Sequence, residues 1–472
     1  EPSINGPAVY GARAQKVFLY RIPISGERPF KISVKGMPEG LKLDAEKGII
    51  SGISPAKGIH VMDIDVENEF GSDKKGFILI INDQICLTPP LGWNSWNCWG
   101  LSVSQDKVKE AIDAMEHSGL ADYGWTYINI DDGWEADQRT PQGELLANDK
   151  FPDMKALADY AHSYGLKLGI YSSPGTMTCG GYLGSWEYEP EDTKTWERWG
   201  IDYLKYDWCS YGKIAVDQSL PELKKPYLKM RKLLDELDRD IVYSLCQYGM
   251  GDVWTWGESC GGNLWRTTGD INDSWNSMAG IGFSQDKCSP YAKPGHWNDP
   301  DMLVVGQVGW GPSLHETRLT PDEQYTHISL WSLLASPLLI GCDMSQLDDF
   351  TLSLLTNREV LAINQDALGK QARKIKEGDG TQIWAKELED GSMALGLFYT
   401  GGNSPVDAFS WDGEMLTKEV TIHFEDIGLA PEQNVRDLWR QKDLGLFDAS
   451  FSIDVNYHGV VLVKIATASQ NQ

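Results

Sequence analysis

Between residues 88 and 365 the chain alternates between two patterns. Short apolar runs of strand length are followed by stretches whose apolar residues recur near every 3.6 positions. VSQDKVKEAIDAMEHSGLADYG, MKALADYAHSYG, TKTWERWG, PELKKPYLKMRKLLDELD, INDSWNSMAGIGFSQ and DEQYTHISLWSLLAS read as helices. WTYINIDD, LKLGIYSS, IDYLKYD, DIVYSLCQ, NLWRTTGD and PLLIGCD read as buried strands. Strand and helix alternate about eight times, the pattern of a parallel (β/α)8 TIM barrel over residues 85–368. An open doubly wound sheet is disfavoured, because no Gly-rich phosphate fingerprint follows the first strand.

The flanks have a different rhythm. Residues 1–84 carry VFLYRIPIS, FKISVKG, HVMDIDVEN and GFILIIND between turn signals such as KGMPEG and EFGSDKK. MPEGLKLDAEKGIISGISPAKGIHVMDIDVEN resembles the Ig-like repeat of bacterial surface and glycan-processing proteins, so a small Ig-like β-sandwich is expected there. Its expected role is a spacer or packing partner. Residues 369–472 carry four further β-rich segments and predict a C-terminal antiparallel β-domain. The expected architecture is therefore multidomain, a central barrel between two β-domains.

Composition narrows the function. The 472 residues carry a net charge of −26, which argues against nucleic-acid binding. No apolar run approaches the ~20 residues that cross a bilayer. Nineteen tryptophans supply flat faces that suit sugar rings, although core packing accounts for most of them. The eight cysteines form no CxxC and have no histidine cluster, so neither a metal site nor a cofactor is expected. One or two disulfides are compatible with an exported protein, periplasmic, cell-surface or secreted. No charged-then-apolar leader stands at Glu1, so a signal peptide has been removed or never existed.

A barrel of this kind places its active site at the C-terminal ends of its strands. Those ends read Trp93 to Trp96, Asp131–Asp132, Tyr171, Lys205 and Asp207, Cys246–Gln247–Tyr248, and Arg266 with Asp270 beyond; Asp299, Asp301 and Met302 follow in the seventh unit. In LKYDWCS, alternation puts Leu204 and Tyr206 on one face and Lys205 and Asp207 on the other. A buried Lys–Asp pair is either a structural ion pair or part of a site. Carboxylates and aromatics converging on one rim suit glycoside hydrolysis, in which one carboxylate attacks the anomeric carbon and another protonates the leaving oxygen. His296 is expected to be a satisfied neighbour of the site, and Asp273 fits a helix N-cap better than Asp270 does.

These residues carry a family likeness. TPPLGWNSW, YINIDDGW, GLKLGIYSSPGTMTCGG, GIDYLKYDWC, LWRTTGDINDSW and WNDPDMLVVG occur in this order. Together they make the barrel resemble glycoside hydrolase family 27, the melibiase-type α-galactosidases and α-N-acetylgalactosaminidases. The resemblance implies a retaining mechanism with Asp207 as nucleophile and Asp270 as acid/base, their carboxyls roughly 5–5.5 Å apart. It implies that Lys205 favours ionised Asp207 and that Asp270 rests protonated. Asp131 and Asp132 match the pair that reads O4 and O6 of galactose, and Trp96 matches the residue lining the C6 side. Tyr171, Lys205, Arg266 and Met302 match pocket positions. Cys179 and Cys209 match a family disulfide that joins the loops after strands three and four.

One departure bears on substrate. Where the family often has Cys-Glu-Trp, this chain has Cys246-Gln247-Tyr248. That loop faces the substrate's 2-position, and a bulky Tyr248 disfavours an N-acetyl group there. The expected partner is a carbohydrate with terminal α-galactose. β-L-arabinopyranosidase is disfavoured by the intact Asp131–Asp132 pair, and a non-catalytic glycan-binding protein by the presence of both Asp207 and Asp270. Pairing of Cys246 with Cys260 stays open.

Overall fold

In the computed structural model, residues 1–401 and 414–467 are described; residues 402–413 and 468–472 of the third expected domain lie outside that range. Eight parallel strands build the centre: β1 (Leu91–Asn94), β2 (Tyr127–Asn129), β3 (Lys167–Ser172), β4 (Tyr203–Tyr206), β5 (Val242–Leu245), β6 (Leu264–Arg266), β7 (Trp297–Asp299) and β8 (Leu338–Ile340). They lie side by side in chain order, and β8 returns to β1. The ring closes where Leu303, just past β7, bridges Ile340. Closure removes the free sheet edges that a doubly wound sheet would keep.

The alternation expected of β4 is present. Leu204 and Tyr206 join the apolar layer shared with the outer helices. Tyr203 packs inside the barrel with Val242, Leu264 and Trp297, forming its floor. Lys205 is two residues above Tyr203 on the same strand face, and Asp207 continues that row past the strand end. Cross-strand register sets Lys205 opposite Tyr171 on β3 and Ser244 on β5. Gly169 is required in this inner wall: a Cβ there would stand 2.0 Å from Asn129 Oδ1 and 2.8 Å from the Tyr203 Cβ.

The helices that cover the barrel include α1 (Gln105–His117), α2 (Met154–Ser163), α3 (Glu189–Trp199), α4 (Leu220–Asp235), α5 (Trp275–Gly282) and α6 (Pro321–Leu333). α6 begins with a full capping box between Thr320 and Glu323, which satisfies two otherwise orphaned amides. Asp273 does not cap α5. Ser274 does, accepting from the Ser277 N–H, while the buried Asp273 carboxylate holds Arg318 at 2.5 Å.

On the N-terminal side, a four-stranded and a three-stranded sheet enclose one core that includes Phe18, Ile32, Leu41, Ile50, Ile64 and Phe77. Arg13 ties this sandwich to the barrel through Asp240 at 2.6 Å, and the nearly buried Arg21 does so through Glu116 and Asp122. On the C-terminal side, a six-stranded antiparallel sheet packs against a two-stranded ribbon through Leu395, Leu397, Ile422 and Phe451. Arg436 grips Glu359 with two hydrogen bonds of 2.7 and 2.8 Å, and His458 stacks on Trp275. No described helix is long and apolar enough to cross a membrane.

Near the barrel floor, Asp202 accepts from Arg239 at 2.7 Å and from Leu168 N–H at 3.0 Å, and it pairs with His162 at 2.7 Å. Burial works to raise its carboxyl, but His162, Arg239 and Lys167 overcome burial and hold it well below the usual carboxylate range. Replacing Asp202 with Asn leaves the largely covered Arg239 without its counter-charge. The expected loss is about 3–5 kcal/mol of stability, measured by denaturant unfolding.

Candidate active site

The strand ends of β2 to β7 bring their polar side chains into one cluster on the barrel rim. Asp207 lies at its centre, 4% exposed. Its Oδ1 accepts from the Tyr248 hydroxyl at 2.6 Å and from the Trp208 N–H at 2.7 Å. Its Oδ2 accepts from the Tyr171 hydroxyl at 2.8 Å. Burial pushes the Asp207 carboxyl up, against the Lys205 charge and these three donors.

Lys205 does not pair directly with Asp207. Its ammonium reaches Asp131 Oδ2 at 2.8 Å, and it acts on Asp207 as a neighbouring charge. Burial alone would lower the Lys205 amine, but Asp131, Cys246 and Asp207 raise it well above its ordinary value. Asp131 is held further by Asn94 Nδ2 at 2.9 Å, and its own N–H donates to Ser95 Oγ at 2.9 Å. The β1 segment WNSW therefore fixes a carboxylate on β2. Trp96 opens a single helical turn directly afterwards, half-buried, with its N–H on Asn94 Oδ1.

Asp132 is placed differently. Its Oδ2 accepts from Gly180 N–H at 2.6 Å, whereas the buried Oδ1 has no protein partner among the described residues. Burial pushes its carboxyl up to about 6, with the neighbouring Asp131 and Asp207 charges adding to the rise. A Cβ at Gly180 would fall 2.8 Å from Asp132 Oδ2 and 2.6 Å from Leu101 Cδ2, so a larger residue there would have to displace these side chains. The loop is anchored by the Cys179–Cys209 disulfide, which joins the segments after β3 and β4. Cys246 and Cys260 are both free, so that pairing does not form.

At the far side, the buried guanidinium of Arg266 spans two carboxylates, Asp270 at 2.9 Å and Asp301 at 3.1 Å. The family likeness implies a protonated Asp270, and the charges around it act in the other direction. Burial works to raise it, but Arg266, with help from Lys205, holds it below the usual carboxylate range. Its side chain is 60% exposed, so water also supports the charged form. Asp299 accepts from Asp301 N–H at 2.8 Å and is pushed by burial up to about 6. Met302 is buried next to Asp301 in the chain.

Around Tyr248, Gln247 turns its carbonyl to Gly249 N–H at 3.0 Å, while its buried amide nitrogen has no protein partner among the described residues. Cys246 is buried, and burial raises its thiol far above the usual range. His296 lies outside the cluster, stacked on Trp265 and bonded to the Gly262 carbonyl at 2.8 Å, a satisfied side chain as expected. Trp208 stacks against Tyr227 and meets Tyr211 edge-on; its ring packs behind the loop while its N–H serves Asp207. Gly180 was not singled out by sequence, and Asn94 and Asp301 stood among the strand-end residues without an assigned role. The signal for Asn94 was its place in the polar first strand end.

Comparison with known proteins matches this geometry to a family. Residues 88–366 match the family model described as alpha galactosidase A, and residues 378–465 match the alpha galactosidase C-terminal beta sandwich domain. An α-galactosidase of Cyamopsis tetragonoloba is 42% identical over 387 residues, 81% of this chain and 87% of the relative. A solved structure of a candidate α-galactosidase/melibiase from Bacteroides fragilis superposes with a TM-score of 0.92 at 36% identity, covering 98% of each chain. The β-L-arabinopyranosidase of Geobacillus stearothermophilus gives a TM-score of 0.70 at 28% identity, covering 81% of this chain and 97% of that one. The barrel, its carboxylate rim and the C-terminal sandwich together identify the chain as a member of the melibiase-type α-galactosidases, glycoside hydrolase family 27.

Proposed function

We propose that this protein is a retaining exo-α-galactosidase that releases terminal α-linked galactose by double displacement. The observation that carries the reading is the state of Asp207. A carboxylate this deeply buried is kept usable by three hydrogen-bond donors and a nearby ammonium, at the rim where barrel enzymes do chemistry. Asp207 attacks the anomeric carbon, and Asp270 protonates the leaving oxygen and later activates water. Asp131 and Asp132 read the sugar hydroxyls. The unpartnered Oδ1 of Asp132 is the acceptor most in need of one.

Asp270 must gain a proton before the first step. Its exposure supplies the means. A bound sugar covers the carboxyl, removes water from it and raises its pKa against the pull of Arg266. Trp96 and Met302 line the pocket, and the ring of Tyr248 occupies the side of the 2-hydroxyl. An oxidising compartment, and hence export, is the natural setting for Cys179–Cys209.

Two outcomes are expected. Asp207→Asn lowers turnover of an aryl α-galactoside by at least about 10⁴-fold while the far-ultraviolet spectrum and unfolding midpoint stay unchanged. Near-normal activity in that variant would remove Asp207 from the nucleophile role. Among aryl α-galactoside, aryl α-N-acetylgalactosaminide and aryl β-L-arabinopyranoside, kcat/KM is highest for the galactoside. A faster arabinopyranoside or N-acetylated substrate reassigns the substrate.

A further inference from the structure

Asp207 has one partner that its role as nucleophile does not by itself require, the hydroxyl of Tyr248. Tyr248 is held at φ 63°, a left-handed conformation that bulky residues rarely adopt. That backbone accompanies a side chain turned onto Asp207 Oδ1 at 2.6 Å. A carboxylate oxygen offers two lone pairs. On Oδ1 both are used, by Tyr248 and by the Trp208 N–H. On Oδ2 the Tyr171 hydroxyl uses one. The Cys179 sulfur at 3.8 Å belongs to the disulfide and has no proton to donate. One lone pair of Oδ2 is left open.

We propose that Tyr248 is a positioning residue for the nucleophile. With the Trp208 N–H its hydroxyl fills Oδ1, so that Asp207 attacks through Oδ2, and the same hydroxyl stabilises the carboxylate as it leaves in the second step. The inference rests on Asp207 being the nucleophile. In the first step an electron pair on Oδ2 forms the bond to the anomeric carbon, the glycosidic bond breaks, and the leaving oxygen takes the proton of Asp270. Asp207 is then an ester whose carbonyl oxygen is Oδ1. In the second step a water oxygen bonds the anomeric carbon and passes a proton to Asp270. The ester bond breaks, and its electron pair returns to Asp207, shared with Oδ1. A hydroxyl donates more strongly to a carboxylate than to a neutral carbonyl. Tyr248 therefore favours the departure of Asp207 over its capture.

The same hydrogen bond favours ionised Asp207. Acting on Asp207 are Lys205 from β4, Tyr171 from β3, Asp132 after β2, Cys246 after β5 and Tyr227 from α4. Arg266 at the end of β6 and Asp270 beyond it act on the adjoining Cys246. None of the others takes the place of Tyr248 on Oδ1. Loss of the hydroxyl raises the carboxyl further, so activity that needs the ionised form is lost at a higher pH as the medium is acidified.

The test is Tyr248→Phe, which keeps the ring and removes the hydroxyl, assayed on an activated aryl α-galactoside. The acid limb of kcat/KM is expected to move up by about one pH unit. The glycosyl-enzyme is expected to accumulate, so that a burst of aryl alcohol precedes a lowered kcat, with kcat falling more than kcat/KM at the optimum. Tyr248→Leu, which also lacks the hydroxyl, is expected to show the same shift. A residue that only walls the pocket would leave the Phe variant with a wild-type pH profile and no burst, and that result overturns the proposal. If the wild-type enzyme itself forms no glycosyl ester at Asp207, the mechanistic reading fails and this inference with it; a wild type that does, beside an unaltered Phe variant, overturns this inference alone.

Discussion

The proposed role of Asp207 as nucleophile depends on keeping one buried carboxylate charged. Taking Asp207 out of water favours its neutral form, which cannot attack a sugar. The neighbouring strands and loops supply the remedy in pieces. β3 brings a phenol, β4 brings an ammonium two residues earlier on the same face, the next backbone amide adds a donor, and the loop after β5 adds a second phenol. The disulfide between Cys179 and Cys209 keeps the two loops beside that carboxylate together.

The second carboxylate is treated in the opposite way. Asp270 is exposed and gripped by Arg266, which Asp301 balances from the other side. Arg266, with Lys205, therefore holds the Asp270 carboxyl below the usual carboxylate range, and the proposed acid role needs substrate to raise it. The two carboxylates differ through solvent access and through the charges aimed at them. Among the described residues the only close grouping of potential metal ligands is Cys179, Asp207 and Cys209, two of which form the disulfide.

Much of this was legible in the sequence, for identifiable reasons. The barrel followed from alternating periodicities, and the rim cluster followed because polar residues stand at the strand ends, so LKYDWCS marks Asp207 as a member of that cluster. Direct partners were less legible. Lys205 lies two residues from Asp207 but bonds Asp131, because a strand's neighbour across the barrel is invisible in its own sequence. Asp273 read as a helix cap, yet Ser274 is nearer the helix start and Arg318 claims the carboxylate. The downward pull on the Asp270 carboxyl depends on an ion pair with Arg266 four residues earlier, and the Tyr248 bond depends on a left-handed backbone that a tyrosine does not signal.

The central claim is that Asp207 forms a covalent bond to the sugar. A slow fluorinated galactosyl substrate, followed by proteolysis and mass spectrometry, locates that bond directly. The account predicts a single galactosyl adduct on the peptide bearing Asp207, lost in Asp207→Asn. An adduct on Asp270 or any other residue, or sustained turnover with the opposite anomer released first and no adduct, would contradict it.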